Sequence, residues 1–250
     1  MTRPTPTPTE LAAALRTAER ERHGIEFPSE RAEREGWTLD WDVARTVAVE
    51  RDALRVADGE TQVGWKLGWT SAAMREALGI ERPNWGTLWD SQVVEAGEPI
   101  DLGALIHPKV EPEFVWRGGR WHVGLEIVDP RFPSFGFAWL DNTLDNSSAA
   151  RVVVGDTVPA GVDLTAEVRF EEWDGDELLD VHVGSGAQVM GHPERAVAWL
   201  RDQLSGEGLA LGDDDLVFTG GLAAPFDLVA GRRYRQLVAG DLELSVEVSA

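Results

Sequence analysis

One octapeptide constrains this chain more than any other stretch: Lys109-Val-Glu-Pro-Glu-Phe-Val-Trp116. Successive side chains of a strand point to opposite faces. A strand here therefore sets Glu111 and Glu113 side by side and puts Val110, Phe114 and Trp116 on the reverse. Two carboxylates so placed repel each other unless a positive charge lies between them. A divalent cation with oxygen ligands meets that need, and Mg²⁺ keeps positions open for water or substrate. The same alternation also fits a solvated acidic face on an exposed strand, and spacing alone leaves both readings open. Pro112 has no N–H to offer a ladder, which predicts an edge or bulged position.

Charge narrows the choice of partner. The 250 residues hold 44 acidic against 23 basic side chains, a net charge of -21. Such a field repels phosphate backbones and anionic membranes, so neither nucleic acid nor membrane is an expected partner. An anionic substrate would need a local cation to enter, and a bound metal would supply one. With no cysteine, disulfides, thiolate nucleophiles and zinc–thiolate sites are excluded. The N-terminus lacks the apolar core of a signal peptide, and no run of about eighteen apolar residues exists. A soluble, cytoplasmic protein is expected.

The patterning divides the chain into a helical start and a strand-rich remainder. After a Pro/Thr tail over residues 1–8, Thr7-Pro-Thr-Glu10 has the form of a capping box. The helix it opens runs to about Arg22, with Leu11, Ala14, Leu15 and Ala18 on one stripe. A Gly/Pro-containing loop comes next. A second helix, capped by Thr38 or Asp40, carries Val43, Val47 and Leu54 and ends near Asp58-Gly59. These two helices read as a cover on the strand-rich body. Short apolar runs then predict strands over 64–68, 86–89, 109–116, 121–128, 151–154, 165–172, 215–219, 232–238 and 241–248. A short helix starts at Thr70 or Ser71 and stops at Gly79, and another opens at Pro193 behind a His192 cap. The expected fold class is α+β: a helical segment over 1–60 packed on a mostly β body over 61–250, rolled into a sheet or barrel.

Other side chains are candidates for chemistry. Lys66 lies in the apolar run Gly64-Trp-Lys-Leu-Gly68, where desolvation would make it a useful acid or base; the residues alone favour a snorkelling lysine with its ammonium in water. Asp90 closes Gly86-Thr-Leu-Trp-Asp90 and reads alone as a turn or cap. Glu126, opposite Leu125 and Ile127 in an apolar strand, needs a partner, which Glu111 and Glu113 with a cation would provide. Asp145-Asn-Ser-Ser148 is a donor-rich loop. Gly184-Ser-Gly186 and Thr219-Gly-Gly221 are permissive backbones that could offer N–H groups or simply turn. The five histidines show no metal-ligand or triad spacing.

Taken in order, G-W-K-L-G-W-T-S (64–71), G-T-L-W-D-S (86–91), H-P-K-V-E-P-E (107–113), L-E-I-V-D-P-R (125–131), L-D-N-S-S-A (144–149), G-S-G-A-Q-V-M-G-H-P (184–193) and F-T-G-G (218–221) resemble one family. It is the 2-keto-4-pentenoate hydratase family of the fumarylacetoacetate hydrolase-like superfamily, and the resemblance covers the chain from about residue 9. The resemblance implies a rolled mixed β-fold with helices before it, often assembled as oligomers: a homo-oligomer, or a complex with a paired decarboxylase or hydratase. It implies Mg²⁺ or Mn²⁺ on three acids, matching Glu111, Glu113 and Glu126, and a lysine–aspartate pair matching Lys66 and Asp90. The implied reaction adds water to a 2-hydroxydienoate or 2-oxo-alkenoate, giving a 4-hydroxy-2-oxo acid. Asn146, Ser147, Gly184, Gly186, Thr219 and Gly220 would hold the carboxylate or water. The alternatives are metal-dependent decarboxylation of a 2-oxo-3-enedioate such as 4-oxalocrotonate, or a non-catalytic partner subunit of such an enzyme.

The chain departs from the family in two places. Glu113 and Glu126 are separated by a short segment where the family has a longer insert containing a helix; Arg117-Gly-Gly-Arg-Trp121 reads as a tight hairpin instead. Pro130 stands where the family commonly has Ser in an Asp-Ser-Arg motif.

Overall fold

The computed structural model describes residues 5–250, so the first four residues of the expected Pro/Thr tail lie outside the described residues. Six helices are formed: α1 (Pro8–Glu21), α2 (Pro28–Glu35), α3 (Trp41–Ala57), α4 (Ala72–Leu78), α5 (Trp139–Leu144) and α6 (Pro193–Gly206). α1 begins as its sequence dictates. Thr7 Oγ1 accepts from Glu10 N, and the Glu10 carboxylate accepts from Thr7 N at 2.7 Å. Asp40 rather than Thr38 caps α3, Ser71 caps α4 and His192 caps α6. α2 occupies a stretch that the sequence predicts as loop. It buries only Pro28 and Ala32, so its sequence carries no apolar stripe to betray it.

The strands are β1 (Gln62–Gly68), β2 (Asn84–Trp89), β3 (Val93–Val94), β4 (Ile100–Asp101), β5 (Lys109–Arg117), β6 (Arg120–Val128), β7 (Ala149–Thr157), β8 (Glu167–Asp174), β9 (Glu177–Ser185), β10 (Leu216–Phe218), β11 (Phe226–Asp227), β12 (Arg232–Val238) and β13 (Leu242–Ser249). One sheet runs β2-β1-β10-β5-β6-β7-β3, with β11 pairing β5, and the other runs β4-β13-β12-β8-β9. β1/β10, β3/β7 and β4/β13 are parallel and the remaining pairs antiparallel, so both sheets are mixed.

The first sheet packs one face on the second. Phe114, Leu125 and Ile127 meet Phe170, Tyr234 and Val246 in the main core. By strand alternation, the other face carries Lys66, Glu111, Glu113 and Glu126 beside the smaller cluster of Leu88, Val115 and Phe218. The N-terminal helices make their own core from Leu11, Leu15, Ala44 and Val47, closed by Phe132 and by Leu144 of α5. They do cover the body, as expected.

Two local features decide the site. The β5–β6 connection is the tight hairpin predicted: Gly118 and Gly119 both have positive φ, 57° and 76°, as a type I′ turn requires. Pro112, however, lies inside the sheet and not at an edge. The ladder from β10 stops at Val115 and that from β11 resumes at Val110. Across this gap Leu222 N donates to Pro112 O at 2.8 Å, so the neighbouring chain takes the carbonyl and asks for no N–H.

Candidate active site

The hairpin register pairs Glu111 with Glu126 and Glu113 with Gly124. The three acids therefore project from one face of adjacent strands, and a carboxylate oxygen from each lies within 4.8 Å of the others. Glu113 and Glu126 are fully buried, and Glu111 is half-buried beside a cavity. Glu113 Oε2 accepts from Gly220 N at 2.7 Å, but its Oε1 has no donor, nor has Oε2 of Glu126. A buried acceptor left unsatisfied costs about 1–3 kcal/mol. Burial, and then the charge of Glu126, pushes Glu111 up to about 7. The same two causes hold Glu113 well above the usual carboxylate range. Burial also raises Glu126, against the pull of Lys66. Three converging carboxylates that all resist ionisation, two of them with orphaned oxygens, form an all-oxygen donor set, which fits a hard divalent cation.

Lys66 comes from β1, on the same face. Its Nζ is 3.1 Å from Glu126 Oε1 and donates to Ser147 O at 2.7 Å and Ser147 Oγ at 3.2 Å. That carbonyl is presented by an unusual turn. Asn146, Ser147 and Ser148 have φ of 58°, 51° and 60°, three successive non-glycine residues in the left-handed region. Such residues cost about 1–2 kcal/mol each and persist where surrounding contacts over-determine them. The contacts are present. Asn146 accepts from Thr87 N at 2.7 Å and donates to Thr87 O at 2.8 Å. Arg131, itself buried, donates to the Asp145 carboxylate, Asp145 O, Asp129 O and Ala149 O.

The cavity beside these groups has a volume of about 390 Å³. Lys66, Glu111 and Ser147 line one side, and Trp69, Phe135 and Phe137 line it elsewhere, with Gly220 and Gly221 also in the wall. Other predicted residues stand away from it. Asp90 is exposed, its Oδ1 accepting from Thr61 N and Ser91 N. Lys66 pairs with Gly86, four positions earlier in β2, which puts Asp90 about 13 Å further along the strand. The carboxylate that Lys66 meets is Glu126. Asn146 braces the turn without lining the cavity, and Thr219 spends its hydroxyl on Phe114 O. Gly184 and Gly186 are packing glycines: a Cβ would stand 1.8 Å from Leu222 O and 1.9 Å from Leu164 O. The sequence reading missed Asn142, whose Oδ1 accepts from Trp69 Nε1 and Asn84 Nδ2 at 2.8 Å each, and whose Nδ2 donates to Ser148 Oγ. It also missed Phe135 and Phe137; only the density of aromatics over 132–139 signals them.

No protein-family model matches the chain. It is, however, 31% identical over 221 residues to 2-keto-4-pentenoate hydratase of Burkholderia vietnamiensis (strain G4 / LMG 22486), covering 80% of this chain and 83% of that protein. It is 30% identical over 217 residues to 4-oxalocrotonate decarboxylase of Pseudomonas sp. (strain CF600), covering 79% of this chain and 78% of that one. The chain belongs to the 2-keto-4-pentenoate hydratase/4-oxalocrotonate decarboxylase family. Within that family, the structure of 4-oxalocrotonate decarboxylase from Pseudomonas putida G7, complexed with magnesium and adipate, matches 98% of this chain and 100% of its own. The TM-score is 0.87 at 27% identity. The α+β, fumarylacetoacetate hydrolase-like architecture expected from the resemblance is therefore the one adopted, and the family's activities are those of lyases. The short β5–β6 hairpin leaves this architecture in place. Among the described residues no helix is long and apolar enough to cross a membrane.

Proposed function

We propose that the protein is a metal-dependent hydro-lyase that adds water to a 2-hydroxydienoate or 2-oxo-alkenoate, giving a 4-hydroxy-2-oxo acid. One observation carries the reading: three carboxylates, two of them fully buried with donorless oxygens, converge beside a buried lysine. Glu111, Glu113 and Glu126 would hold Mg²⁺ or Mn²⁺, and the magnesium and calcium complexes of the structural relative support a divalent cation. Such an ion supplies Lewis acidity to the carboxylate and C2 oxygen of the substrate. Lys66, oriented by Glu126 and Ser147 O, would move protons between the enol and keto forms. Ser147 and the Gly220–Gly221 backbone would bind the carboxylate or the water, and the apolar wall would exclude bulk solvent.

Decarboxylation of a 2-oxo-3-enedioate is the second reading, because relatives of both names match at similar identity. Assembly as a homo-oligomer belongs to the same proposal; Leu178, Leu179 and Val183, exposed on edge strand β9, are the surface we assign to it.

Calorimetric titration of Mg²⁺, with and without oxalate as a mimic of the substrate head, tests the site. The wild type should bind the ion and bind it more tightly with oxalate, whereas a folded Glu111→Ala/Glu113→Ala variant should bind neither. A wild type that ignores Mg²⁺ even with oxalate would sink the enzymatic reading. Release of a hydroxy-oxo acid rather than CO₂ then separates the two activities.

A further inference from the structure

We infer that the cavity takes an acid with a bulky uncharged tail, an aryl or branched alkyl group, in preference to a short acid or a dicarboxylate. The inference rests on the proposed function, which fixes the acid head between Lys66 and Glu111. Beyond that head the walls are mainly apolar and aromatic, and the polar side chains that join them, Thr70, Ser71 and Gln188 among them, are uncharged. Phe137 stands edge-on to Trp69 at 6.4 Å between centroids and 5.9 Å from Phe135. Trp69 cannot swing freely, because its Nε1 donates to Asn142 Oδ1 at 2.8 Å. Met74, an adaptable side chain that is 52% exposed on α4, stands at the rim. A volume of about 390 Å³ falls in the range of sites for drug-sized ligands, more than a small acid head fills.

Charge points the same way. Among the described residues lining the cavity, Lys66 is the sole basic side chain, and Glu126 and Ser147 already engage it. Two cations that touch its lining residues are engaged by other groups. Lys109 is held by Asp227 at 2.6 Å and lies over the Phe135 ring outside the cavity, while Arg75 donates to Trp69 O. A second carboxylate at the far end of a substrate would lose its hydration and find no counter-ion. An apolar tail meets three rings instead.

The test titrates the magnesium-loaded full chain with four acids: pyruvate, 2-oxohexanoate, 2-oxohexanedioate and 4-phenyl-2-oxobutanoate. The phenyl acid should bind at least about tenfold more tightly than pyruvate, since it buries a whole ring. The diacid should bind more weakly than 2-oxohexanoate, which has the same chain length. Met74→Lys, at an exposed helix position that threatens no core, should narrow or reverse that second difference. A phenyl acid no tighter than pyruvate, or a diacid that matches or exceeds the monoacid, overturns the inference while leaving the metal site standing. If magnesium binds but none of the four acids does, the reading of the head-group site fails, and the inference falls with it.

Discussion

Arg131→Met removes the clamp that holds the left-handed turn at 146–148 while keeping the bulk of the buried side chain. In the wild type, burial pushes Asp145 up to about 6 against the pull of Arg131. Without the guanidinium its folded pKa rises further, and at pH 7.5 the folded variant keeps the carboxyl protonated. A carboxyl whose folded pKa is raised loses stability as pH climbs from the unfolded to the folded value. For the wild type that loss is complete at about pH 6, and for the variant it continues. The extra one and a half pH units, at about 1.36 kcal/mol each, add roughly 2 kcal/mol at pH 7.5 and almost nothing at pH 5.5. The carbonyls of Asp129 and Asp145 also lose donors at either pH. The total at pH 7.5 should reach about 3–5 kcal/mol, as for other broken buried pairs. Urea denaturation of both proteins at pH 7.5 and 5.5 measures it. A difference below about 1 kcal/mol at pH 7.5, or one equal at the two pH values, would refute the reasoning.

Lys66→Met should lower kcat for the dienol substrate by about 10²–10⁴-fold, the usual contribution of a positioned proton-transfer group. Asp90→Asn should leave it within about twofold, and comparable losses in both would restore the lysine–aspartate pair. Gly184→Ala should cost about 3 kcal/mol in denaturant, because the new Cβ meets the Leu222 carbonyl and not a yielding side chain. A variant of normal stability with an altered KM would instead make Gly184 a ligand-binding residue.

The difference between Lys66 and Asp90 shows what this sequence could and could not disclose. The acids were legible because their geometry is local: alternation fixes Glu111 and Glu113, and two glycines fix the turn that brings Glu126 back. Lys66 was legible as a charge set among apolar neighbours. Its partner was not, since which residue faces it depends on the β1–β2 register, and that register pairs it with Gly86. Gly184 and Gly186 looked like anion-binding backbone because a glycine needed for close packing reads the same as one needed for a ligand. Asn142 stayed hidden because its contacts with Trp69, Asn84 and Ser148 come from separate segments of the chain. β9 escaped for a different reason: Leu179, Val181 and Val183 alternate with Asp180 and His182, but the run is short and mostly exposed, so no core face marks it.

The position of the hairpin in the chain has a further consequence. Glu111 and Glu126 are separated only by the two strands that carry them, so bringing them together closes a short loop at little entropic cost. Lys66 reaches Ser147 across 81 residues and only once the first sheet is complete. The ion-binding half can thus assemble early, on the microsecond timescale of hairpins, while the proton-handling half waits for the whole topology. Fluctuations that lift the 145–149 segment would silence the chemistry and leave the ion in place, so occupancy and activity can be lost at different temperatures.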